Sequence, residues 1–297
     1  MILVPPEFAR WRAQVDGEAG RSWVAALPGL VTRLCARWDL VPDDTPPRHG
    51  GLGLVVMVHR AGVPCVLKVS WLEDTTVDEA TALRTWAGHG AVRLFEAEPA
   101  AGALLLERLD PHRTLHDLGL WEAAEVAGTL IRRLAVPAPP GVRPLSEIAE
   151  VLVEHLPPRQ RALGYPVPPA WLDAARGHAA ELGGQRHDVL IHADLHYGNV
   201  LAGSREPWLA VDPRAVRGGP EFSVPELLWT RADDAELDSD AAVRRLLRVL
   251  VSAGGLDPAA AHGWAVARCV DYWLWGLENG LTIDPERCRR VLTALLP

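Results

Sequence analysis

The chain has 297 residues, of which 48% are hydrophobic and 23% charged, so we expect an ordinary globular protein with room for two modest domains. Its formal net charge of -8 argues against a nucleic-acid partner, because such binders normally have a basic face, and it is compatible with a cationic partner. No uncharged run approaches the roughly 20 residues of a membrane span, and no basic segment of a signal peptide opens the chain, so no membrane association is predicted.

Two residue types add to this picture. None of the four cysteines forms a C-x-x-C pair, which argues against a zinc ribbon or a redox motif and favours reduced thiols in a cytoplasmic protein. Lys68 is the only lysine, while every other basic side chain is an arginine. That skew is mostly compositional, but it draws attention to the one lysine that remains.

The first 109 residues are predicted to form a small, mostly antiparallel sheet with one internal helix, preceded by an N-terminal helix. The predicted helices are 7–37, interrupted near Gly17 and Gly20, and about 73–88. The predicted strands are 55–59, 63–69, 92–96 and 103–109. Thr76 and Glu79 have the three-residue spacing of a capping box, which would begin the internal helix.

After Asp110 the apolar spacing becomes helical, so we place a boundary between a β-rich lobe, 1–109, and a larger, mainly helical lobe, 110–297. The fold class predicted is α+β. The predicted helices of the second lobe are 121–134, 145–156, 170–182, 225–230, 241–253, 258–277 and 285–296.

Polar residues interrupt a strongly apolar stretch at Val189-Leu-Ile-His-Ala-Asp-Leu-His-Tyr-Gly-Asn-Val-Leu201. Asp194 and Asn199 lie five residues apart in the predicted loop, and Asp212 ends a later apolar run. Asp and Asn oxygens are typical ligands of a hard divalent cation, and a further carboxylate can accept a proton from a hydroxyl. The pattern therefore predicts a magnesium site beside a general base.

The order of candidate residues along the chain is that of protein kinases. A glycine-containing turn at Gly50, Gly51 and Gly53 precedes Lys68 on a strand and Glu79 near the start of a helix. The Asp-x4-Asn pair and a metal-binding Asp follow. These are the parts that phosphoryl transfer requires.

The segment His192-Ala-Asp-Leu-His-Tyr-Gly-Asn199 resembles the H-G-D-L-H-x-x-N motif of the aminoglycoside phosphotransferase family, which has a two-lobed protein-kinase-like fold. Glu206-Pro-Trp-Leu-Ala-Val-Asp-Pro213 resembles the branch of streptomycin 6-phosphotransferases and hydroxyurea kinases. The resemblance extends over nearly the whole chain. It implies an ATP- and Mg²⁺-dependent kinase that inactivates an antibiotic by phosphorylating a hydroxyl of a small, cationic molecule such as streptomycin.

The resemblance also implies roles for individual residues. Asp194 would be the catalytic base, and Asn199 and Asp212 would hold Mg²⁺. Lys68 would contact the ATP phosphates and pair with Glu79. The remaining nucleotide contacts would come from Gly50, Gly51 and Gly53 and from the backbone of Glu107 and Leu109. His192 would support the loop.

Acids and tryptophans of the second lobe are the candidates for substrate binding. They are Asp110, Glu221, Glu226, Asp233, Asp234, Asp271, Trp273, Trp275 and Glu278. One stretch departs from the branch, which commonly has Gly-Asp-Pro-x-Phe-Asp after the metal-binding Asp. Here Gly218-Gly-Pro-Glu-Phe-Ser223 lacks both acids, and an acid often found near Trp275 is also absent.

Other interpretations stay open at this point. Asp194, Asn199 and Asp212 could cap a structural turn, and His192 and His196 could be ligands of a metal hydrolase. Because residues 218–223 lack both acids, the chain could also be a kinase-fold protein that binds nucleotide or ligand and transfers phosphate weakly or not at all. Hydroxyurea is an alternative acceptor.

Overall fold

The computed structural model describes residues 2–73 and 76–296 and divides into two compact units, residues 1–109 and 110–297. Each unit has its own buried core. No helix within the described ranges is long and apolar enough to cross a membrane.

The first unit is built on a six-stranded antiparallel sheet in the order β1-β3-β4-β6-β5, in which β2 pairs with β3 on the same edge as β1 but near its other end. The strands are β1 (Leu40–Pro42), β2 (Arg48–His49), β3 (Gly53–Arg60), β4 (Val63–Ser70), β5 (Leu94–Glu98) and β6 (Ala103–Glu107). Ala61 and Gly62 both have positive φ, as a type I′ turn requires, and they join β3 to β4. The strands predicted at 55–59 and 63–69 are confirmed, and they pair as a hairpin.

Helix α1, Pro6–Trp38, supplies side chains to the core of this sheet. Its Leu27 and Val31 are fully buried in one cluster with Leu54 and Leu67 of β3 and β4. The helix is interrupted at Gly17, as the sequence predicts. The φ of 58° and ψ of -130° at this residue lie outside the helical region.

The prediction that a capping box begins the internal helix is wrong. Helix α2 is Glu79–Trp86, and its N-cap is Asp78, whose side chain does not cap the helix by a hydrogen bond. The Thr76 hydroxyl instead accepts from Glu73 N and donates to Trp71 O, so it closes the turn before the helix. Predicted helical residues 74–75 lie outside the described ranges. The Glu79 carboxylate turns to Lys68 rather than back to the helix start.

The second unit contains seven α-helices among its described residues. They are α3 (Leu120–Leu134), α4 (Leu145–Ala162), α5 (Pro169–Gly183), α6 (Pro225–Trp229), α7 (Asp240–Gly254), α8 (Pro258–Glu278) and α9 (Ile283–Leu295). All seven predicted helices are confirmed. Helix α4 runs six residues past its predicted end, through Pro157 and Pro158. Gln160 in this extension is buried and bonds the backbone N and O of Val167, which anchors the last turn.

Two three-stranded sheets hold the loops of this unit. One has the order β11-β10-β7 and the other the order β12-β9-β8. The strands are β7 (Asp110–Thr114), β8 (Val136–Pro137), β9 (Val189–Ile191), β10 (Val200–Ala202), β11 (Trp208–Ala210) and β12 (Val216–Arg217). Helix α8 is apolar on most of its surface, and its Trp264 packs edge-on against Phe222 at 4.9 Å.

Candidate active site

Residues 192–199 form a loop between β9 and β10, which belong to different sheets. His192 is buried, and its ring contacts two backbone groups: Nε2 lies 2.9 Å from Val211 O, and Nδ1 accepts from Asp194 N at 3.4 Å. Arg214 N donates to His192 O. The imidazole thus links the loop to the chain that follows β11 and holds the backbone N–H of Asp194.

Asn199 and Asp212 are brought together by backbone pairing. Val211 N donates to Asn199 O at 2.9 Å, where β11 returns beside β10. The Asn199 amide nitrogen donates to Asp194 O at 2.9 Å, so the amide oxygen is the atom left for a metal. Asp212 has φ 59°, a left-handed conformation that Asp tolerates better than most residues.

This donor set fits magnesium better than a metal held by protein alone. An amide oxygen and a carboxylate are hard ligands, and magnesium typically takes one or two from the protein and the rest from phosphates and water. Within residues 2–73 and 76–296 no three His, Cys, Asp or Glu side chains are arranged to hold a metal ion. The hydrolase interpretation loses support, because His192 and His196 both bond backbone groups; His196 Nδ1 accepts from Gly198 N at 3.1 Å.

Asp194 lines a cavity of about 490 Å³ within the second unit. The cavity combines acids, two arginines and a group of aromatic rings. Its lining residues are Ala193, Asp194, His196, Arg214, Glu226, Trp229, Thr230, Arg268, Asp271, Tyr272, Trp275 and Asp284. Three of the predicted substrate residues, Glu226, Asp271 and Trp275, are therefore gathered beside Asp194.

Charges around Asp194 are closely paired. Arg214 Nε donates to Asp194 Oδ2 at 3.1 Å, and Arg268 Nη2 donates to Glu226 Oε1 at 3.3 Å. Burial raises the pKa of Asp194, and Arg214 opposes that rise. Burial, followed by the negative charge of Asp194, raises the pKa of Glu226 to about 8.

The structure does not bring the other predicted substrate acids to this cavity. Glu221 is buried, and its Oε1 accepts from Asp257 N at 3.0 Å at the start of α8. Glu278 binds Arg159, and Asp110 accepts from His112 N in a local turn. Asp233 and Asp234 bind Arg287 and Arg231, and Trp273 packs against Trp171.

The departure at residues 218–223 has a local explanation at Gly219. A Cβ atom there would lie 2.9 Å from Glu221 Oε2, so the glycine leaves space for that carboxylate. Glu221 in turn satisfies the amide of Asp257 at the N-terminus of α8. An aspartate at position 219 would compete with Glu221 for the same space.

Sequence patterns missed the arginines of the cavity and two of its three stacked rings, Trp229 and Tyr272. Trp229, Tyr272 and Trp275 lie face to face, with centroids 4.8 and 5.2 Å apart and interplanar angles of 14°. Trp275 is 40% exposed and offers a ring to the cavity. The spacing of Tyr272 and Trp275 by three residues on α8 was the available signal, since such pairs share a helix face.

In the first unit, Lys68 and Glu79 form a buried ion pair. Lys68 Nζ lies 2.7 and 2.8 Å from the two carboxylate oxygens of Glu79, and both side chains are about one-tenth exposed or less. Lys68 pairs with Val55 and Leu104 across the sheet, so its backbone is central in the sheet. A lysine in this setting is held at a fixed place by its carboxylate partner.

The predicted glycines form the end of the β2–β3 hairpin. Gly50 N donates to Gly53 O, and Gly50 and Gly51 have open space where a Cβ would stand. A Cβ at Gly53 would meet Ser70 Oγ at 3.0 Å. Gly53 thus packs closely against β4, whereas Gly50 and Gly51 have space for a side chain.

Glu107 and Leu109 end the first unit. Glu107 N donates to Arg93 O at 2.9 Å, and its Oε2 accepts from Arg93 N. Leu109 is 8% exposed. The backbone N–H of Glu107 is thus hydrogen-bonded to the segment before β5.

Ala193 is expected to be a strained position, because its φ of 55° is left-handed. For a residue with a Cβ this conformation costs about 1–2 kcal/mol. Glycine avoids that cost, but it also raises the entropy of the unfolded chain, which offsets part of the stabilisation. We predict that Ala193→Gly raises the free energy of unfolding by up to about 1 kcal/mol. The matched control is Ala25→Gly at an exposed position of α1, which should lower it by about 1 kcal/mol. Denaturant titration of both variants measures this; an equal loss in both would contradict the strain at Ala193.

Comparison with known proteins shows the family of the chain. Residues 37–280 match the family model described as aminoglycoside/hydroxyurea antibiotic resistance kinase. The chain is 41% identical over 291 residues to a streptomycin 6-kinase of Streptomyces glaucescens, covering 96% of this chain and 94% of that protein. It is 37% identical over 303 residues to a hydroxyurea phosphotransferase of Kitasatospora aureofaciens, covering 100% and 86%.

A solved structure supports the fold. A ternary complex of a thermostable mutant of aminoglycoside phosphotransferase APH(4)-Ia with ADP and hygromycin B has a TM-score of 0.60 and 14% identity, covering 89% of this chain and 97% of that one. The α+β, protein-kinase-like fold predicted from the sequence is confirmed. The chain belongs to the aminoglycoside/hydroxyurea antibiotic resistance kinase family.

Proposed function

We propose that this protein is an ATP-dependent O-phosphotransferase that inactivates an aminoglycoside, with streptomycin the first compound to test. The observation that carries the proposal is the cavity around Asp194, in which the candidate base, three further acids and an exposed tryptophan meet. The similar streptomycin 6-kinase and hydroxyurea phosphotransferase support the reaction type. Streptomycin and hydroxyurea are therefore the acceptors to compare.

In this proposal Asp194 accepts the proton of the acceptor hydroxyl and orients its oxygen toward the γ-phosphate of ATP. His192 and Arg214 hold the Asp194 backbone and carboxylate in place before the substrate arrives. Such pre-positioning lowers the entropy cost of reaching an in-line geometry.

Lys68 is proposed to contact the ATP phosphates, with Glu79 fixing its ammonium group. Gly50 and Gly51 would approach the phosphates through the backbone, and Glu107 and Leu109 would contact the adenine. Asn199 and Asp212 would hold Mg²⁺. When bound, that ion neutralises phosphate charge.

The cavity suits a cationic acceptor. Four of its lining residues are acids and two are arginines, so its formal charge is negative even with every arginine paired. Asp271 and Asp284 provide carboxylates, and the exposed ring of Trp275 provides a face on which a cation can lie. Four free, buried cysteines also support the proposed cytoplasmic location.

Hydroxyurea is the second candidate acceptor, because the chain is 37% identical to a hydroxyurea phosphotransferase. Hydroxyurea is small and uncharged, so it would use little of the acidic lining. A preference between the two acceptors therefore tests the role of the cavity charge.

The deciding experiment is an ADP-release assay with MgATP and a panel of streptomycin, other aminoglycosides and hydroxyurea, with the phosphorylated product verified by mass spectrometry. We expect turnover with streptomycin and a lower kcat/KM for hydroxyurea. A higher kcat/KM for hydroxyurea would replace the first acceptor by the second. ATP binding without turnover on any acceptor would instead favour a binding protein.

A further inference from the structure

The first segment of α1, residues 6–16, lies beside the glycine turn, residues 50–53. Gly17 separates this segment from the rest of the helix. The ring of Phe8 lies 5.1 Å from the ring of His49, the last residue of β2. The chain that leads into the glycine turn therefore packs directly against the start of α1.

Arg12 extends this contact to the turn itself. It is 1% exposed, and its Nη1 donates to Gly51 O at 3.2 Å. Its Nη2 forms an ion pair with Asp16, and the guanidinium lies over the Trp71 ring, 5.3 Å from the centroid. Burying a charged side chain is costly unless its contacts compensate, so the arginine is fixed in place by these three groups.

The bond to Gly51 O determines which way the next amide is directed. In a trans peptide the C=O and the following N–H have opposite directions, and no cis peptide bond is found among the described residues. Because Gly51 O is turned toward Arg12, the Leu52 N–H is turned away from α1. Leu52 O accepts from Trp71 N at 2.8 Å, whereas Leu52 N has no hydrogen-bond partner within residues 2–73 and 76–296.

The side of the sheet away from α1 is the side of Lys68. Leu67 and Val69 of β4 belong to the core that contains α1 side chains. Successive side chains of a strand alternate between the two faces, so Lys68 lies on the opposite face. The Leu52 N–H is thus directed to the same side of the sheet as the lysine proposed for the ATP phosphates.

We infer that Arg12 is a positioning residue for the nucleotide phosphates: by holding Gly51 O, it directs the free Leu52 N–H toward a phosphate oxygen on the Lys68 side of the sheet. Backbone N–H groups in turns form such anion sites. Arg12 itself does not touch the nucleotide, since its side chain is buried. The inference rests on the proposed ATP-dependent function.

MgATP and adenosine differ in the phosphates, so their affinities separate this role from a general loss of structure. We expect Arg12→Met to raise the Kd for MgATP about 10-fold and to leave the Kd for adenosine within about twofold of wild type, measured by calorimetric titration. Arg12→Lys keeps a cation for Asp16 and a donor for Gly51 O, so its Kd for MgATP should stay within about threefold. The matched control is Arg21→Met, an exposed arginine of α1 paired with Glu18.

A second variant accounts for the charge that Arg12→Met leaves on Asp16. Arg12→Met/Asp16→Asn removes both charges and should recover most of the Tm lost by Arg12→Met, without recovering the affinity for MgATP. Recovery of affinity together with Tm would mean that Arg12 only neutralises Asp16, and it would overturn the inference.

Nuclear magnetic resonance of the full chain tests the donor directly. The amide proton of Leu52 should shift downfield on saturation with MgATP and should not shift with adenosine. An unchanged Leu52 signal overturns the inference, as does an Arg12→Met variant that binds MgATP like wild type or weakens MgATP and adenosine equally. If wild-type protein binds MgATP but phosphorylates no compound of the panel, the proposed transfer fails and these binding results still decide the role of Arg12. Wild-type protein that does not bind MgATP contradicts both.

Discussion

Replacing Asp194 with Asn is expected to lower kcat by roughly 10²- to 10⁴-fold while the Kd for MgATP changes little. Asparagine keeps the size of the side chain but cannot accept the proton of the acceptor hydroxyl. The loop itself should survive the change, because its backbone is held by His192 and Asn199 through bonds to the Asp194 N and O atoms. The loss should therefore fall on the chemical step.

The measurement is steady-state phosphorylation of the best acceptor beside calorimetric titration with MgATP. Asp173→Asn, at an exposed position of α5, is the matched control and should have wild-type kcat. If Asp194→Asn kept wild-type turnover, the proposed base would have to lie elsewhere. If it lost ATP binding to the same degree as turnover, the residue would belong to the nucleotide site.

The central part of the candidate site could be predicted from the sequence because it is local. Asp194 and Asn199 are five residues apart on one loop, and Asp212 ends the next hairpin, so their proximity follows from short-range connectivity. The Lys68–Glu79 contact was anticipated from the family resemblance, and here it spans only the connection between β4 and α2. Contacts of this kind depend little on how the rest of the chain packs.

The surroundings of Asp194 could not be predicted in the same way. Arg268 and Tyr272 reach the cavity because of the rotation of α8 about its own axis, which is set by packing against several helices at once. An acid in a helical stretch has the same pattern whether it faces a cavity or caps a neighbouring helix. This is why the sequence does not distinguish Glu221 from Glu226, although one accepts from Asp257 N and the other lines the cavity of Asp194.

The capping box shows the same limit at shorter range. Thr76 and Glu79 have the correct spacing for it, and the local energy of such a box is about 1 kcal/mol. An ion pair buried in the sheet competes for the same Glu79 carboxylate. Breaking that pair would leave a buried charge, which typically costs 3–5 kcal/mol, so the tertiary contact determines where Glu79 points.

Because Lys68 pairs with the buried carboxylate of Glu79, replacing Lys68 should change both stability and activity. Lys68→Met should reduce kcat/KM for ATP roughly 10²- to 10³-fold and should also lower the free energy of unfolding by about 3–5 kcal/mol, because Glu79 loses its lysine within a buried site. The double variant Lys68→Met/Glu79→Leu should recover most of the stability, since an apolar pair of similar volume is often neutral or better than a buried ion pair.

Activity should not return with stability in the double variant, because the ammonium group proposed for the phosphates is still missing. Urea titration and ATP-dependent turnover, measured on the wild type, both single variants and the double variant, form a complete cycle. Recovery of both properties would mean that Lys68 acts only by neutralising Glu79. Recovery of stability alone separates the two roles of the one lysine in this chain and assigns its charge to the nucleotide.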